Sequence, residues 1–279
     1  MRPILKSPRI LRTGQPLTLE GIRQVAPAVF AEGPHESRGE RYRYVPTIEP
    51  LQRLLATGWG VYEASQQRSR AADKDPYTKH MLRMRRLQDF DLKAAGADGV
   101  AEVIMINGHD GSAAYQMKAG YFRFVCSNGI ISGKTMAGFK VYHSVNRQTS
   151  DEVLGAAENL VVDAFPKMLE KIVNFKTIEL TPEQQARMAR AALQARYGSA
   201  LPPFPASDLL HVRREEDGFP SLWNVLNRVQ EAALYGGWGV KSWAGRDVEV
   251  RPVERVSAVT TINEAIWDEA HAIAEECTA

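Results

Sequence analysis

Asn107-Gly108-His109-Asp110-Gly111-Ser112-Ala113-Ala114-Tyr115-Gln116-Met117-Lys118-Ala119-Gly120-Tyr121-Phe122-Arg123-Phe124-Val125-Cys126-Ser127-Asn128-Gly129 is the stretch whose reading decides the fold. An apolar run, Val103 to Ile106, leads into it, and a second apolar and aromatic run leads out to another Asn-Gly. Two such runs joined by Gly, Asn and Asp predict a β-hairpin over roughly residues 101–127. Its turn gathers His109, Asp110 and Ser112 at one tip. Strand alternation puts Tyr121 and Arg123 on one face and Phe122 and Phe124 on the other. The phenylalanines are expected inward, the tyrosine and arginine outward.

Upstream of the hairpin the chain reads as short strands with little helix. Residues 1–17 are rich in Arg and Pro and are expected to be extended or poorly ordered. Thr18 caps a short helix that Pro27 interrupts. Glu32 to Glu40 is a polar connection in which His35 is expected to face solvent. Arg41-Tyr42-Arg43-Tyr44-Val45 alternates as a strand, and Thr47 opens a helix closed by Gly58. A further strand begins at Trp59. His80 to Leu87 alternates apolar with basic residues, which predicts a half-buried strand with an arginine face.

Downstream the periodicity changes to helical. From Asp151 to Ile172 apolar residues recur at three- and four-residue steps, with a kink or a local break expected at Pro166. Thr181-Pro182-Glu183-Gln184 starts a helix that ends before Gly198. Pro220 to Leu234 forms another, closed by Gly236-Gly237. Thr261 or Asn263 is expected to cap the last. The fold class is therefore α+β, a strand-rich mixed or antiparallel sheet region followed by a mainly helical C-terminal half. Three parts are expected: an N-terminal arm and short helix over 1–37, a strand-rich basic domain over 38–150, and a helical acidic part over 151–279.

Charge follows the same division. Residues 38–150 carry 17 Lys/Arg against 10 Asp/Glu, or +7, whereas residues 151–279 carry 13 against 20, or −7. The chain of 279 residues is 44% hydrophobic and 24% charged, the balance of a globular protein. No apolar run reaches the roughly 20 residues of a membrane span. No leader is expected, and Cys126 and Cys277 are too far apart in sequence to suggest a disulfide framework or a thiolate zinc site. Cys126 is expected in the core. These absences point to the cytoplasm.

Several stretches together resemble the phage/plasmid-like family called domain of unknown function 932. They are Asn107 to Ser112 with Phe122 to Gly129, Arg41-Tyr42 with Pro46-Thr47, Gly58-Trp59, Lys79 to Arg83, Leu222 to Glu231 with Gly236-Gly237, and Val256 to Trp267 with Thr260, Ile262 and Asn263. The resemblance covers most of residues 18–275 and implies a mobile-element context and a fold, not a mechanism. The acidic turn Arg213-Arg214-Glu215-Glu216-Asp217 departs from the pattern, and the sequence assigns it no role.

Three functional readings arise from the residues. The first is binding of nucleic acid, single-stranded DNA above all. Arg41, Arg43, Arg83, Arg85, Arg86, Lys118, Tyr121 and Arg123 interleave cations with aromatic rings, the pairing that tracks phosphates and stacks on unpaired bases. Lys134 and Lys140 extend the run. Such a protein serves recombination, replication or defence evasion. The second is a metal-assisted or hydrolytic enzyme using His109 and Asp110 as base and orienting acid, with His80 and His143 as further ligands if the fold gathers them. Against it, Asp110 at a tight turn commonly bonds its own backbone. The third is an interaction or antagonist module that contacts a host or element-encoded protein through the acidic half. Ser112 lacks a nucleophile elbow, Gly133-Lys134-Thr135 lacks the phosphate-loop spacing, and no cofactor or metal signature is present. Homo-oligomeric assembly stays open.

Overall fold

The computed structural model describes residues 9–92, 97–124, 128–131, 138–141 and 163–278. It is an α+β fold, with an N-terminal antiparallel sheet region followed by a mainly helical C-terminal half. The chain forms two compact units, Met1–Phe122 with Ala137–Phe165, and Arg123–Met136 with Pro166–Ala279. The boundaries expected from sequence rest on composition and charge, whereas these units are defined by packing.

In the first unit the strands follow one another across the sheet. They are β1 (Arg9–Arg12), β2 (Trp59–Gln66), β3 (His80–Arg86), β4 (Gly99–Asn107) and β5 (Tyr115–Arg123). A further strand, β7 (Gly138–Val141), pairs antiparallel with β5. The hairpin expected at 101–127 is thus β4, its turn and β5. β1 is the extended alternative expected for the N-terminal stretch, and Arg9 to Arg12 pair with Gln66 to Glu63. Two short helices accompany the sheet, α1 (Leu19–Val25), capped by Thr18, and α2 (Ile48–Ala56). Pro27 starts a 3₁₀ turn over Pro27–Phe30 instead of continuing α1. Arg41 to Val45 is not a strand.

β3 overturns the expected solvent-facing arginines. All but its last residue are buried. Arg83 and Arg85 lie on one face, two residues apart, and close on Glu102 of β4, which has 0% exposure. Arg83 Nε and Arg85 Nε each donate to one Glu102 oxygen at 2.7 Å. Arg85 is also sandwiched between the Tyr62 and Phe122 rings, 4.6 and 3.5 Å from their centroids. A charge can be buried in a sheet only if it is paired and hydrogen-bonded, and this triad meets that condition.

In the second unit β6 (Asn128–Ile131) runs beside helices α5 (Leu222–Tyr235) and α6 (Val256–Thr278). Two more helices, α3 (Phe165–Thr177) and α4 (Pro182–Tyr197), complete the helical core, where Phe175 meets Trp267 at 5.5 Å between ring centroids. The start of α4 is a capping box: Thr181 Oγ1 accepts from Gln184 N–H, and Gln184 Oε1 accepts from Thr181 N–H. Pro166 is the second residue of α3 and follows two π-helical residues, Asp163 and Ala164, a local break of the kind expected there; residues 151–162 lie outside the described residues. The helix start expected at Asp151 lies outside the described residues, as do Cys126, Lys134, Thr135 and His143. Thr261 and Asn263 are not caps, because α6 begins earlier, at Val256. Asn263 is buried and accepts from Gln230 Nε2 at 2.9 Å and from Ile131 N–H at 3.3 Å. The stretch after Gly236-Gly237 forms a hairpin of β8 (Trp238–Lys241) and β9 (Asp247–Val250).

The expected split of β5 is reversed. Tyr121 and Arg123 are buried, while Phe122 and Phe124 are half-buried. Arg123 Nη1 donates to Asp217 at 2.6 Å, with both side chains nearly inaccessible. This gives the acidic turn its role. Asp217, held also by Arg214 at 3.2 Å, neutralises the buried end of β5.

Burial alone would raise the Glu102 carboxyl, but Arg83 and Arg85 outweigh it and hold it below its ordinary value. A carboxyl depressed in the folded state contributes stability above its unfolded value and loses it as pH falls through the folded one. Glu102→Leu leaves two buried guanidiniums without their carboxylate, and a loss of about 3–5 kcal/mol in urea unfolding at pH 7 is expected. The triple replacement Arg83→Met/Arg85→Met/Glu102→Leu is expected to lose less than Glu102→Leu alone. An equal or larger loss in the triple variant would contradict the assignment of the cost to unpaired charge.

Candidate functional site

The turn after β4 is where polar side chains converge, and β3 supplies the reason. His80 pairs with Asn107 across the β3–β4 ladder, so both project from the same face, opposite Arg83 and Arg85. Thr47 stands before them. Its Oγ1 lies 2.8 Å from His80 Nε2 and accepts from Asn107 Nδ2 at 3.0 Å. It lies 3.4 Å from His109 Nε2. Thr47 therefore precedes α2 without capping it with its side chain, because the hydroxyl is used here. His80 and His109 approach with ring centroids 5.3 Å apart. The sheet does bring these two sequence candidates together.

Both histidines are fully buried. Burial lowers His80 to about 4, so its ring is neutral at pH 7. Its Nδ1 lies 3.1 Å from the Thr78 carbonyl, which places the proton on Nδ1 and leaves Nε2 to accept from the Thr47 hydroxyl. Asp110, the other candidate of the turn, lies beside His109 in sequence. It is half-exposed, and its Oδ1 accepts from Ser112 N–H at 2.9 Å, the local turn bond that Asx residues favour. Gly111 completes the turn at φ +82°, and a side chain there would strike the Arg38 guanidinium.

A second polar chain lies against the same turn, and sequence reasoning missed it. His35 is only 3% exposed, not solvated. Its backbone N–H donates to the His109 carbonyl at 3.0 Å, and its ring meets Tyr77 edge-on at 5.3 Å. Its Nδ1 accepts from Ser37 N–H at 3.1 Å and lies 2.8 Å from Ser37 Oγ. An amide N–H can only donate, so Nδ1 is the acceptor and the ring proton sits on Nε2. Nε2 then donates to Asp73 Oδ2 at 3.1 Å. The hydrogen bond to His35 holds the Asp73 carboxyl below its ordinary value. Arg38 Nη2 and Nε donate to Ser37 Oγ at 3.0 and 3.3 Å. Ligand-capable atoms of His35, Glu36 and Asp73 lie within 4.8 Å of one another. Both His35 nitrogens are already engaged, so the arrangement fits a hydrogen-bonded chain better than a cation. No sequence motif marks Ser37 or Asp73; the only local cue is a His and a Ser two apart in a polar loop.

The cations singled out from sequence divide by burial. Arg41 and Arg43 are exposed, Arg86 and Lys118 are half-exposed, and Arg83, Arg85 and Arg123 are buried with carboxylates. Arg86 stacks 5.6 Å over Trp59. Tyr42 and Tyr44, between and beside the exposed pair, are half-buried and anchored. Tyr42 Oη donates to the Gly108 carbonyl at 3.0 Å, and Tyr44 Oη donates to the Ala31 carbonyl. Tyr44 also packs on His109 at 5.0 Å. The second unit holds an open cleft of about 920 Å³ lined by His211, Arg213, Trp238 and Lys241 among others, and none of the sequence candidates lies in it.

The family model described as domain of unknown function (DUF932) matches residues 34–267. That span contains the hairpin, the Thr47–His80–Asn107 node and the His35 chain. The chain belongs to the DUF932 family. This family is associated with phages and plasmids, and its domain is described as one of unknown function. DUF932 membership agrees with two curated relatives from Escherichia coli (strain K12). UPF0380 protein YafZ is 36% identical over 264 residues, covering 95% of this chain and 94% of the relative. UPF0380 protein YfjQ is 36% identical over 258 residues, covering 92% of each. No solved structure matches the chain. No described helix is long and apolar enough to cross a membrane.

His80 gives this site a pH signature. Its folded value lies below the ordinary 6.5, so the unfolded chain takes up a proton first as pH falls. The associated stability is fully present above pH 6.5 and is lost between there and about 4. Unfolding free energies at pH 7 and pH 4.5 should show this component, roughly 3 kcal/mol at most, in wild type. The His80→Gln variant should lack it. An His80 imidazole that titrates near 6.5 by NMR would refute the buried, neutral assignment.

Proposed function

We propose that this protein is a cytoplasmic nucleic-acid-binding accessory protein of a phage, plasmid or integrated element, acting on single-stranded DNA in recombination, replication or defence evasion. The observation that carries this reading is the alternation along 41–44. Arg41 and Arg43 are exposed, and the intervening Tyr42 and the following Tyr44 are fixed by their hydroxyls to the core of the loop. Anchored tyrosines hold the segment in place, so two guanidiniums meet a phosphate backbone with less ordering cost than on a free arm. The mobile-element family supplies a context in which such binding has a use. Arg83, Arg85 and Arg123 leave the proposed contact surface, because each serves a buried carboxylate. Arg86, Lys118 and Tyr121 are secondary: the first two are partly accessible, and Tyr121 is buried.

Fluorescence anisotropy with single- and double-stranded oligonucleotides across a salt series tests this. Wild type should bind single strands with an affinity that falls steeply with salt. Arg41→Ala/Arg43→Ala should weaken binding about tenfold and reduce the log–log salt slope by about 1.4, the value for two lost phosphate contacts on a single strand. Absence of binding at low salt, or an unchanged slope in the folded double variant, would sink the proposal.

A further inference from the structure

The Asp73–His35–Ser37 chain has a direction. Asp73 accepts from Nε2–H, and Nδ1, fixed as an acceptor by the Ser37 amide, faces the Ser37 hydroxyl at 2.8 Å. A histidine that only capped its own turn would need the amide alone. Here the opposite nitrogen also meets a carboxylate 38 residues away. The imidazole is buried while Ser37 is exposed, so the base is shielded and the hydroxyl is open to a substrate. That is the relation of nucleophile, base and orienting acid, reached here with the two ring nitrogens in the roles the bonds assign them.

Arg38 decides the substrate class. Its guanidinium touches the Ser37 oxygen through two N–H groups. A charged fork beside the attacking oxygen suits an electrophile that carries anionic oxygens, as a phosphoryl group does. A neutral ester would leave that charge unmatched. We infer that Ser37 is a nucleophile toward phosphodiesters, with His35 as its base, Arg38 as the group that receives the non-bridging oxygens, and Asp73 as the residue that positions His35. Its choice of a nucleic-acid phosphodiester rests on the function proposed above.

The step balances without any redox partner. Ser37 Oγ forms a bond to phosphorus as the bond to the leaving alcohol oxygen breaks. The Oγ proton moves to His35 Nδ1, which gives up the bond from the Ser37 amide N–H, and the imidazolium keeps its Nε2–H on Asp73. Nδ1 then gives the proton to the leaving oxygen. Water attacks the Ser37 phosphoester next, Nδ1 takes its proton, and Oγ recovers it on departure. One phosphodiester and one water become a phosphomonoester and an alcohol.

The full chain is treated with a biotinylated fluorophosphonate, and adducts are located by intact mass and peptide mapping. Wild type should carry one adduct, on Ser37, and Ser37→Ala should carry none. His35→Gln should label about 100-fold more slowly. Asp73→Asn should also slow labelling, with partial rescue in Asp73→Glu, which a purely structural role would not produce. Circular dichroism establishes that each variant is folded. Ser37 is exposed, so its variant stays informative even if His35→Gln fails to fold. An unlabelled Ser37 in wild type, or equal labelling in folded His35→Gln, overturns the inference. Oligonucleotide anisotropy and hydrolysis of bis(p-nitrophenyl) phosphate are measured on the same samples. Oligonucleotide binding without an adduct overturns the nucleophile and leaves the binding function standing. An adduct and Ser37-dependent hydrolysis without oligonucleotide binding supports the nucleophile and overturns the nucleic-acid reading.

Discussion

A carboxylate with no solvent exposure sits in the middle of the sheet, and the first unit's arrangement follows from it. Glu102 cannot remain ionised there unless cations reach it from the neighbouring strand. Arg83 and Arg85 do so from alternate positions, which fixes the face that β3 turns toward them. A one-residue slip would send both guanidiniums to the opposite face and strand the carboxylate. The ion triad therefore sets the register. The register in turn puts His80 opposite Asn107 on the other face, where Thr47 receives both. The polar node at the hairpin turn is thus specified by charge pairing on the far side of the same strand.

That dependence explains which parts of the fold could be read in advance. The hairpin, α4 and α5 were legible because their signals are local: Gly-rich turns, a Thr-Pro-Glu-Gln start and closing glycines. The arginines of β3 were not. Alternating apolar and basic residues look the same whether the basic face meets water or a buried acid, and Glu102 lies in another strand 19 and 17 residues away. Arg123 follows the same logic over a longer distance, since its acid, Asp217, is 94 residues on. Tyr121 shares its face and its burial. Net charge by region reported an excess of cations correctly but could not say which of them reach solvent.

His35 was illegible for a different reason. A histidine between Pro34 and Glu36 in a polar connection has no pattern that predicts burial. Its burial comes from groups distant in sequence: the His109 carbonyl that accepts its N–H, the Tyr77 ring beside it and the Asp73 carboxylate on Nε2. The turn at 108–112 is therefore doubly used. Its backbone holds the His35 loop, while its histidine side chain packs inward against Tyr44 and His80. Of the His109-Asp110 pair, His109 is buried while Asp110 is half-exposed and accepts from Ser112 N–H, and the chain with a base-like polarity forms next to it.

The loop that carries Ser37, Arg38, Arg41 and Arg43 has no strand or helix of its own to order it, and bonds to the hairpin turn and to Ala31 hold it. Tyr42 reaches the Gly108 carbonyl, and its hydroxyl proton is held tightly because burial and the nearby Asp110 both disfavour the phenolate. Burial likewise raises Tyr44 to about 12, with Glu49 and Glu32 acting in the same direction. Both hydroxyls therefore remain donors across the physiological range, and the carbonyls they serve remain satisfied. A loop held this way keeps its arginines near one another without spending a secondary-structure element on them. The same bonds bring Arg38 over Gly111, which can have no side chain in its way. Placement of the exposed cations, and of the hydroxyl beside them, thus traces back through two tyrosines and one turn to the register that Glu102 enforces.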